Sequence, residues 1–308
     1  MLVYFLGTGA GKPSLERNVT SIALRLPASA GDVWLFDCGE GTQHQLLASP
    51  FSLRKITRIF ITHLHGDHIF GLPGLLASRS FSAKDIPLAL YGPPGIRRFV
   101  DTALDLSSTR LSYPLEIREL MPVIELEIDS WRLRVGLVEH GLPSYGYRLE
   151  EMDSPGPLDA KRLQKMGVRP GPIYGCLKDG ETITLDDGRV LHGPDFVGPP
   201  RRGRHVVIVG DTRFSEAAIE LAKDADLLVH EATFAGKLEE RAYEFFHSTT
   251  LQAAQVAKMA NVKALILTHF SSRYTPRTYH KLLEEAQSIF SNTHLAEDHF
   301  SLQVERND

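Results

Sequence analysis

Cysteine is nearly absent: Cys38 and Cys176 are the only two in 308 residues. Two thiols without motif spacing build neither a disulfide framework nor a cysteine metal cage, so a reducing compartment is expected. Long apolar runs are scarce too. The opening MLVYFLGTGAG has no basic segment and only about six apolar residues, so it reads as neither signal peptide nor membrane span. A cytoplasmic protein with no membrane partner is expected. Basic surplus is also missing: 34 Lys and Arg against 38 Asp and Glu leave −4 at pH 7. No overall field draws in a polyanion, so nucleic-acid contacts must come from a local patch or bound metal. GTGAGKP at 7–13 lacks the spacing and the Ser or Thr of a phosphate loop, misses GxGxxG, and no GxSxG elbow occurs anywhere. No internal repeat and no low-complexity tract was found.

What is present is an ordinary globular composition, 43% hydrophobic and 23% charged, in a chain long enough for a sizeable core and about two domains. Short apolar runs alternate with amphipathic stretches, the pattern of a layered α/β protein. Residues 2–6, 19–26, 33–36 and 58–62 read as strands, and 42–48 and 72–80 as helices. A strong strand at 131–138 leads into His140. The second half repeats the scheme: strands at 205–209, 227–229 and 263–268, a helix from Ser215 and another at 249–260. Between 152 and 204 the composition shifts to Pro, Gly and charge, marking a small inserted module whose charges roughly cancel but whose exit gathers Arg201, Arg202 and Arg204.

The unusual abundance is histidine, 13 residues. IFITHLHGDH at 59–68 ends an apolar strand and at once delivers His63, His65, Asp67 and His68. At an extended strand end i and i+2 face the same way, so His63 and His65 grip one ion together. Gly66 is expected to turn the chain and set Asp67 and His68 beside a second ion. Imidazole and carboxylate suit zinc at about 2.0–2.2 Å, with Mn and Fe left open by ligand type. His140, Asp211 and His269 each end an apolar run, where a strand hands a polar side chain to a sheet edge. Together they complete two spheres, His63, His65 and His140 for one ion and Asp67, His68 and His269 for the other, with Asp211 bridging. Two such ions about 3.5–4 Å apart clamp an in-line displacement. His44, His192, His205, His280, His294 and His299 have no ligand-like setting.

These motifs resemble the metallo-β-lactamase superfamily and, within it, the ribonuclease Z family. The narrower likeness rests on FLGTGAGKP with ERN, FDCGEGTQHQL, THLHGDHIFGLPGLLASR, RPGPIY, GDTR, HEATF, HSTT and LTHFSSRY, spread over nearly the whole chain. It implies a four-layer αββα sandwich over residues 1–308, interrupted by a flexible transfer-RNA-binding arm, an exosite, at 152–204. It further implies a zinc-dependent endoribonuclease with two zinc ions per subunit that removes the 3′ trailer of precursor tRNA, and a homodimer in which one subunit's arm holds the RNA cut by the other. Asp67 is then ligand and acid/base, with Glu231 and His247 beside the scissile phosphate. Substrate-binding positions follow at Arg17 and Asn18 in the first loop, at Gly171, Pro172, Arg201 and Arg202 in the arm, and at Thr233, Ser248, Thr249 and Arg273 in the later motifs. Leu15 stands where the family loop usually carries Lys. Other hydrolases share this fold, and activity on short phosphodiesters but not on precursor RNA would favour one of them. Metal-bound hydroxide is expected to outcompete the neighbouring 2′-hydroxyl, leaving a 3′-hydroxyl on the tRNA and a 5′-phosphate on the trailer.

Overall fold

The computed structural model describes residues 1–27, 31–122 and 124–306. Its contacts divide the chain into two compact units, Met1–Leu149 with His205–Val304, and Glu150–Arg204 with Glu305 and Arg306. The larger unit is built on two seven-stranded sheets. The first runs in the order Ser301–Gln303, Leu2–Gly7, Ser21–Arg25, Val33–Phe36, Ile56–Phe60, Leu88–Gly92 and Leu115–Glu119; the second runs Thr293–Leu295, Leu265–Thr268, Leu227–Glu231, His205–Val209, Ser144–Glu151, Trp131–Val138 and Ile124–Ile128.

Alternation along the strands explains why both sheets are buried on both faces. Trp34 and Phe36 join Phe60, Tyr147, Ile208 and Val229 in the core between the sheets, whereas Val33 and Leu35 face helical residues such as Leu72 and Leu76 on the outside. Likewise Val206 and Ile208 point inward, and Val207 and Val209 pack under helix Thr250–Met259, whose Ala253, Ala254 and Ala257 present a small-residue face. The result is helix, sheet, sheet, helix: the four-layer metallo-β-lactamase sandwich. Several element ends differ from the sequence reading. The strand expected at 58–62 ends at Phe60, because the amide and hydroxyl of Thr62 both donate to Asp37, at 2.7 and 2.8 Å. The strand expected at 227–229 runs on to Glu231. Gly66 opens a short helix, Gly66–Ile69, against which the exposed Phe70 ring folds back, 2.2 Å from where a Cβ would stand.

The smaller unit has helices Ala160–Lys165 and Pro172–Lys178, a hairpin of Thr182–Thr184 with Val190–His192, and its own small core of Leu163, Val168, Leu177, Leu191 and Phe196. Arg204 corrects the sequence reading. Far from joining a basic cluster at the surface, it is buried against Glu151, with Nε 2.7 Å and Nη2 2.9 Å from the two carboxylate oxygens, and Arg306 donates to the same carboxylate. Burial would raise the Glu151 pKa, yet the hydrogen bonds from Arg204 and Arg306 hold it down at about 2. Among the described residues no helix is long and apolar enough to cross a membrane.

Candidate metal centre

Strands His205–Val209, Leu227–Glu231 and Leu265–Thr268 are parallel, so their carboxyl ends deliver Asp211, Glu231 and His269 to one edge. Val33–Phe36 and Ile56–Phe60 are parallel in the other sheet and deliver Asp37 and then His63 to His68. Ligands gather at such carboxyl edges in α/β architectures because the strands end there and the chain is free to turn side chains outward.

Ligand atoms converge in three groups: His63, His65, His140 and Asp211 in the first, Asp67, His68 and His269 in the second, and a third of Asp211, His247 and His269 that shares a residue with each of the others. In the first, His63 Nε2 lies 3.0 Å from His65 Nδ1, His140 Nε2 lies 3.2 Å from that same atom, and Asp211 Oδ2 lies 3.7 Å from His63 Nε2. In the second, His68 Nε2 and His269 Nε2 stand 3.5 and 3.3 Å from Asp67 Oδ2. Asp211 Oδ2 is also 3.5 Å from His68 Nε2 and 3.4 Å from His269 Nε2, so it joins the first two groups. Tetrahedral ligands at about 2.05 Å from an ion are about 3.4 Å apart, which is the spacing seen here.

The opposite ring nitrogens are taken. Thr62 Oγ1 meets His63 Nδ1 at 3.0 Å, Asp37 Oδ2 meets His68 Nδ1 at 2.7 Å, the Phe246 carbonyl meets His140 Nδ1 at 2.8 Å and Thr233 Oγ1 meets His269 Nδ1 at 2.9 Å. Such outer partners fix which nitrogen keeps a lone pair for metal. His68 supplies the sharpest test of fit: its Nε2 is buried without a hydrogen-bond partner. An orphaned imidazole nitrogen among carboxylates is costly unless a cation fills the space. The residues therefore fit a metal. Two of the supporting residues, Asp37 and Phe246, and the ligand His269 have φ of 58°, 59° and 59°, the left-handed region that non-glycine residues seldom adopt.

Electrostatics agrees at three of the histidines, whereas at His68 burial is overcome by the carboxylates of Asp211, Asp37 and Asp67, which push it well above the ordinary imidazole range and mark the place of a cation. Burial and the neighbouring imidazoles push His63 down, and burial pushes His65 and His140 down, keeping them neutral donors. Asp67 and Asp211 are held well below the ordinary carboxylate range: burial opposes this, and the charge and hydrogen bonds of His68 and His269 overcome it. Beside the cluster, His247 Nδ1 is 2.8 Å from Glu231 Oε1 and 3.8 Å from Asp211 Oδ2. Burial disfavours its charge, but the Glu231 carboxylate prevails and raises it to about 9.

The positions expected to bind substrate fall into two classes. Arg17 is buried, its guanidinium 4.2 Å from the Tyr279 ring centre and hydrogen-bonded to the Ala296 carbonyl, so it anchors the first loop from inside. Asn18 braces that loop through the Glu40 carbonyl. Thr233, Ser248 and Thr249 are buried and occupied, by Glu231 and His269, by the Thr212 carbonyl and by the cap of helix Thr250–Met259 respectively. These five place other groups. Arg273, Gly171, Pro172 and Arg201 are exposed, and Arg202 is half-buried. Sequence reading passed over Asp37, Thr62 and the Gly11 amide, which donates to Asp67 Oδ2 at 2.7 Å. Asp37 follows VWLF as Asp211 follows VVIVG, so the rule that found the ligands would have found it too.

Comparison with known proteins sets this geometry in context. The chain is 55% identical over 306 residues to a ribonuclease Z of Geobacillus kaustophilus, covering 99% of this chain and 100% of that one. It is 54% identical over 303 residues to a ribonuclease Z of Bacillus cereus, covering 98% and 99%. Among solved structures, human tRNase Z, short form, superposes with a TM-score of 0.72 at 31% identity, over 99% of this chain and 100% of that one. A family profile described as anti-Pycsar protein Apyc1 matches residues 1–124.

Proposed function

The chain belongs to the ribonuclease Z family of metallo-β-lactamase-fold endoribonucleases, and from that premise we propose that it removes the 3′ trailer from precursor tRNA in the cytoplasm, using two zinc ions per subunit. The observation that carries this is the convergence of seven ligand atoms, spaced as two shared coordination spheres, at one sheet edge. A zinc pair there supplies an activated water at neutral pH and positive charge against the phosphate. The protein's own part is placement and proton movement. Asp67, kept ionised and fixed through Oδ2 by the Gly11 amide, orients the attacking water. His247, kept protonated by Glu231, donates to the 3′ oxygen leaving the tRNA body. The products are a 3′-hydroxyl on the tRNA and a 5′-phosphate on the trailer.

Residues 152–204 are proposed as the arm that grips the RNA, within a homodimer whose arms each serve the other subunit. Its exposed Lys161, Lys165, Arg169 and Lys178 lie close in sequence to the Gly171–Pro172 turn. The direct test is incubation with a precursor tRNA carrying a trailer, followed by mapping of the new ends. Hydroxyl and phosphate ends at the discriminator boundary are expected, with cleavage surviving a 2′-deoxy substitution at the scissile nucleotide. A cyclic phosphate, or a complete block by that substitution with binding intact, overturns the mechanism. Elemental analysis should find close to two equivalents of metal, mainly zinc, and less after His63→Ala or Asp211→Ala.

A further inference from the structure

We infer that Arg213 is a positioning residue that sets two parts of the site at once, the ring of His140 and the reach of His247; the inference rests on the reading of this edge as a metal-dependent phosphodiesterase centre. Arg213 lies two residues past Asp211. Its guanidinium is sandwiched between two aromatic rings, 3.7 Å from the Tyr243 centre and 3.8 Å from the Phe246 centre. Its Nε donates to the Tyr243 carbonyl at 2.7 Å, Nη1 pairs with Glu139 Oε1 at 3.1 Å, and its own amide donates to the Glu139 carbonyl at 2.8 Å. The side chain is only 14% exposed although Glu139 is 57% exposed, so the cation is held by rings and backbone more than by its partner carboxylate.

What it holds is the turn after helix Glu239–Glu244. Phe246 there has φ 59°, a conformation a bulky side chain takes only when its surroundings impose it. Its ring is fixed by Arg213, its carbonyl accepts from His140 Nδ1 at 2.8 Å, and the next residue is His247, whose Nδ1 meets Glu231 at 2.8 Å. One residue thus joins a staple to a ligand of one metal group and to the proton donor. If the turn relaxes, the His140 ring loses the bond that presents Nε2 to the cluster, and His247 leaves Glu231. The second group, Asp67, His68 and His269, depends on this turn less directly: its outer partners are Gly11, Asp37 and Thr233, and the turn reaches it only through His247, whose ring centre is 5.5 Å from that of His269 and whose Nδ1 is 3.4 Å from Thr233 Oγ1.

The test uses Arg213→Ala and Arg213→Lys, with Tyr243→Ala as a milder variant that removes one exposed face of the sandwich. Outer partners of metal ligands are worth about 10–100-fold in metal affinity or activity. Competition with a chelator should show one zinc class weakened by about that factor in Arg213→Ala and the other retained. Under saturating zinc, turnover of precursor tRNA should fall about 10–100-fold with KM nearly constant. Hydrolysis of bis(p-nitrophenyl) phosphate, whose leaving group needs no proton, should fall much less. Arg213→Lys should not rescue, since an ammonium has neither the flat face nor the fork. Tyr243→Ala should move the same readouts in the same direction by a smaller factor, and decides the matter if Arg213→Ala does not fold. Equal losses on both substrates with both zinc classes unchanged, or full rescue by Lys, overturns the inference. A wild-type chain that leaves precursor tRNA uncut overturns the proposed function instead, and the zinc competition still decides the role of Arg213.

Discussion

The two units of this chain handle unfavourable conformations in opposite ways. In the smaller one, every positive φ among the described residues falls on glycine, at Gly167, Gly180 and Gly188. In the larger one, nine non-glycine residues among those described take positive φ, with Asp37, Phe246 and His269 of these at the site, and His68 Nε2 is buried unpartnered. Strain of that kind persists only where the surroundings over-determine it. Three extensive apolar clusters supply those surroundings in the sandwich, whereas the smaller unit has five buried apolar residues and an ion-pair network at Glu151. Net charge does not separate them: residues 150–204 with 305–308 hold ten basic and eleven acidic side chains, which leaves −3 for the rest of the chain. The large core can hold reactive groups at fixed positions; the small unit offers exposed cations on two short helices and the loop between them. Under the proposed function, chemistry falls to the first and grip to the second.

The largest effect that would break this division is a binding defect from a change confined to the metal edge. Asp67→Ala is expected to lower turnover of precursor tRNA by about 10²–10⁴, the range assigned to a general acid or base, while the Kd for the RNA changes only a few-fold. His247→Ala should act in the same direction, more weakly. Single-turnover cleavage and filter binding on the same preparation measure both. Wild-type turnover in either variant removes that residue from the chemistry.

How far the site could be read from sequence depends on the same division. His63, His65, His140, Asp211 and His269 stand out because a long apolar run is followed at once by a ligand-type side chain, and that pattern survives without knowledge of pairing. The sheet order was not legible, since Ser301–Gln303 crosses the whole chain to pair with Leu2–Gly7. Nor were the interior uses of Arg17, Thr233 and Ser248: a polar residue in a motif looks the same whether it faces substrate or a buried carbonyl. Arg204 misled for a related reason. Its partner Glu151 lies 53 positions away, and Arg306, which donates to the same carboxylate, lies 102 away, so only the fold brings the three together.

Next in size is the converse change. Replacing residues 152–204 by a short linker should weaken binding of precursor tRNA by roughly an order of magnitude or more, and flatten the log–log salt dependence by about 0.9 for each phosphate no longer neutralised. Hydrolysis of bis(p-nitrophenyl) phosphate should persist, since the seven ligand atoms and the Glu231–His247 pair all lie in the other unit. Loss of both activities in a folded, metal-loaded deletion protein would make the insert part of the active site and dissolve the division.

The smallest expected effect is a pH dependence confined to the smaller unit. Glu151 has its carboxyl held at about 2, against an ordinary value of 4.5, by Arg204 and Arg306. A depressed carboxyl contributes stability that is complete above 4.5 and is lost as pH falls from there towards 2. Linkage then gives a loss in the folding equilibrium of that unit of about fourfold at pH 4 and about thirtyfold at pH 3. Native-state hydrogen exchange should show this as acid-dependent opening of amides within 150–204, beyond any change in the strands around Trp34 and Phe60, whose surroundings are apolar. Glu151→Gln removes the titrating group, so the unit should be weaker at pH 7 and much flatter between pH 5 and 3. An unchanged acid dependence in that variant would mean that other carboxyls govern the opening, and that the ion-pair network is not what compensates for the small core.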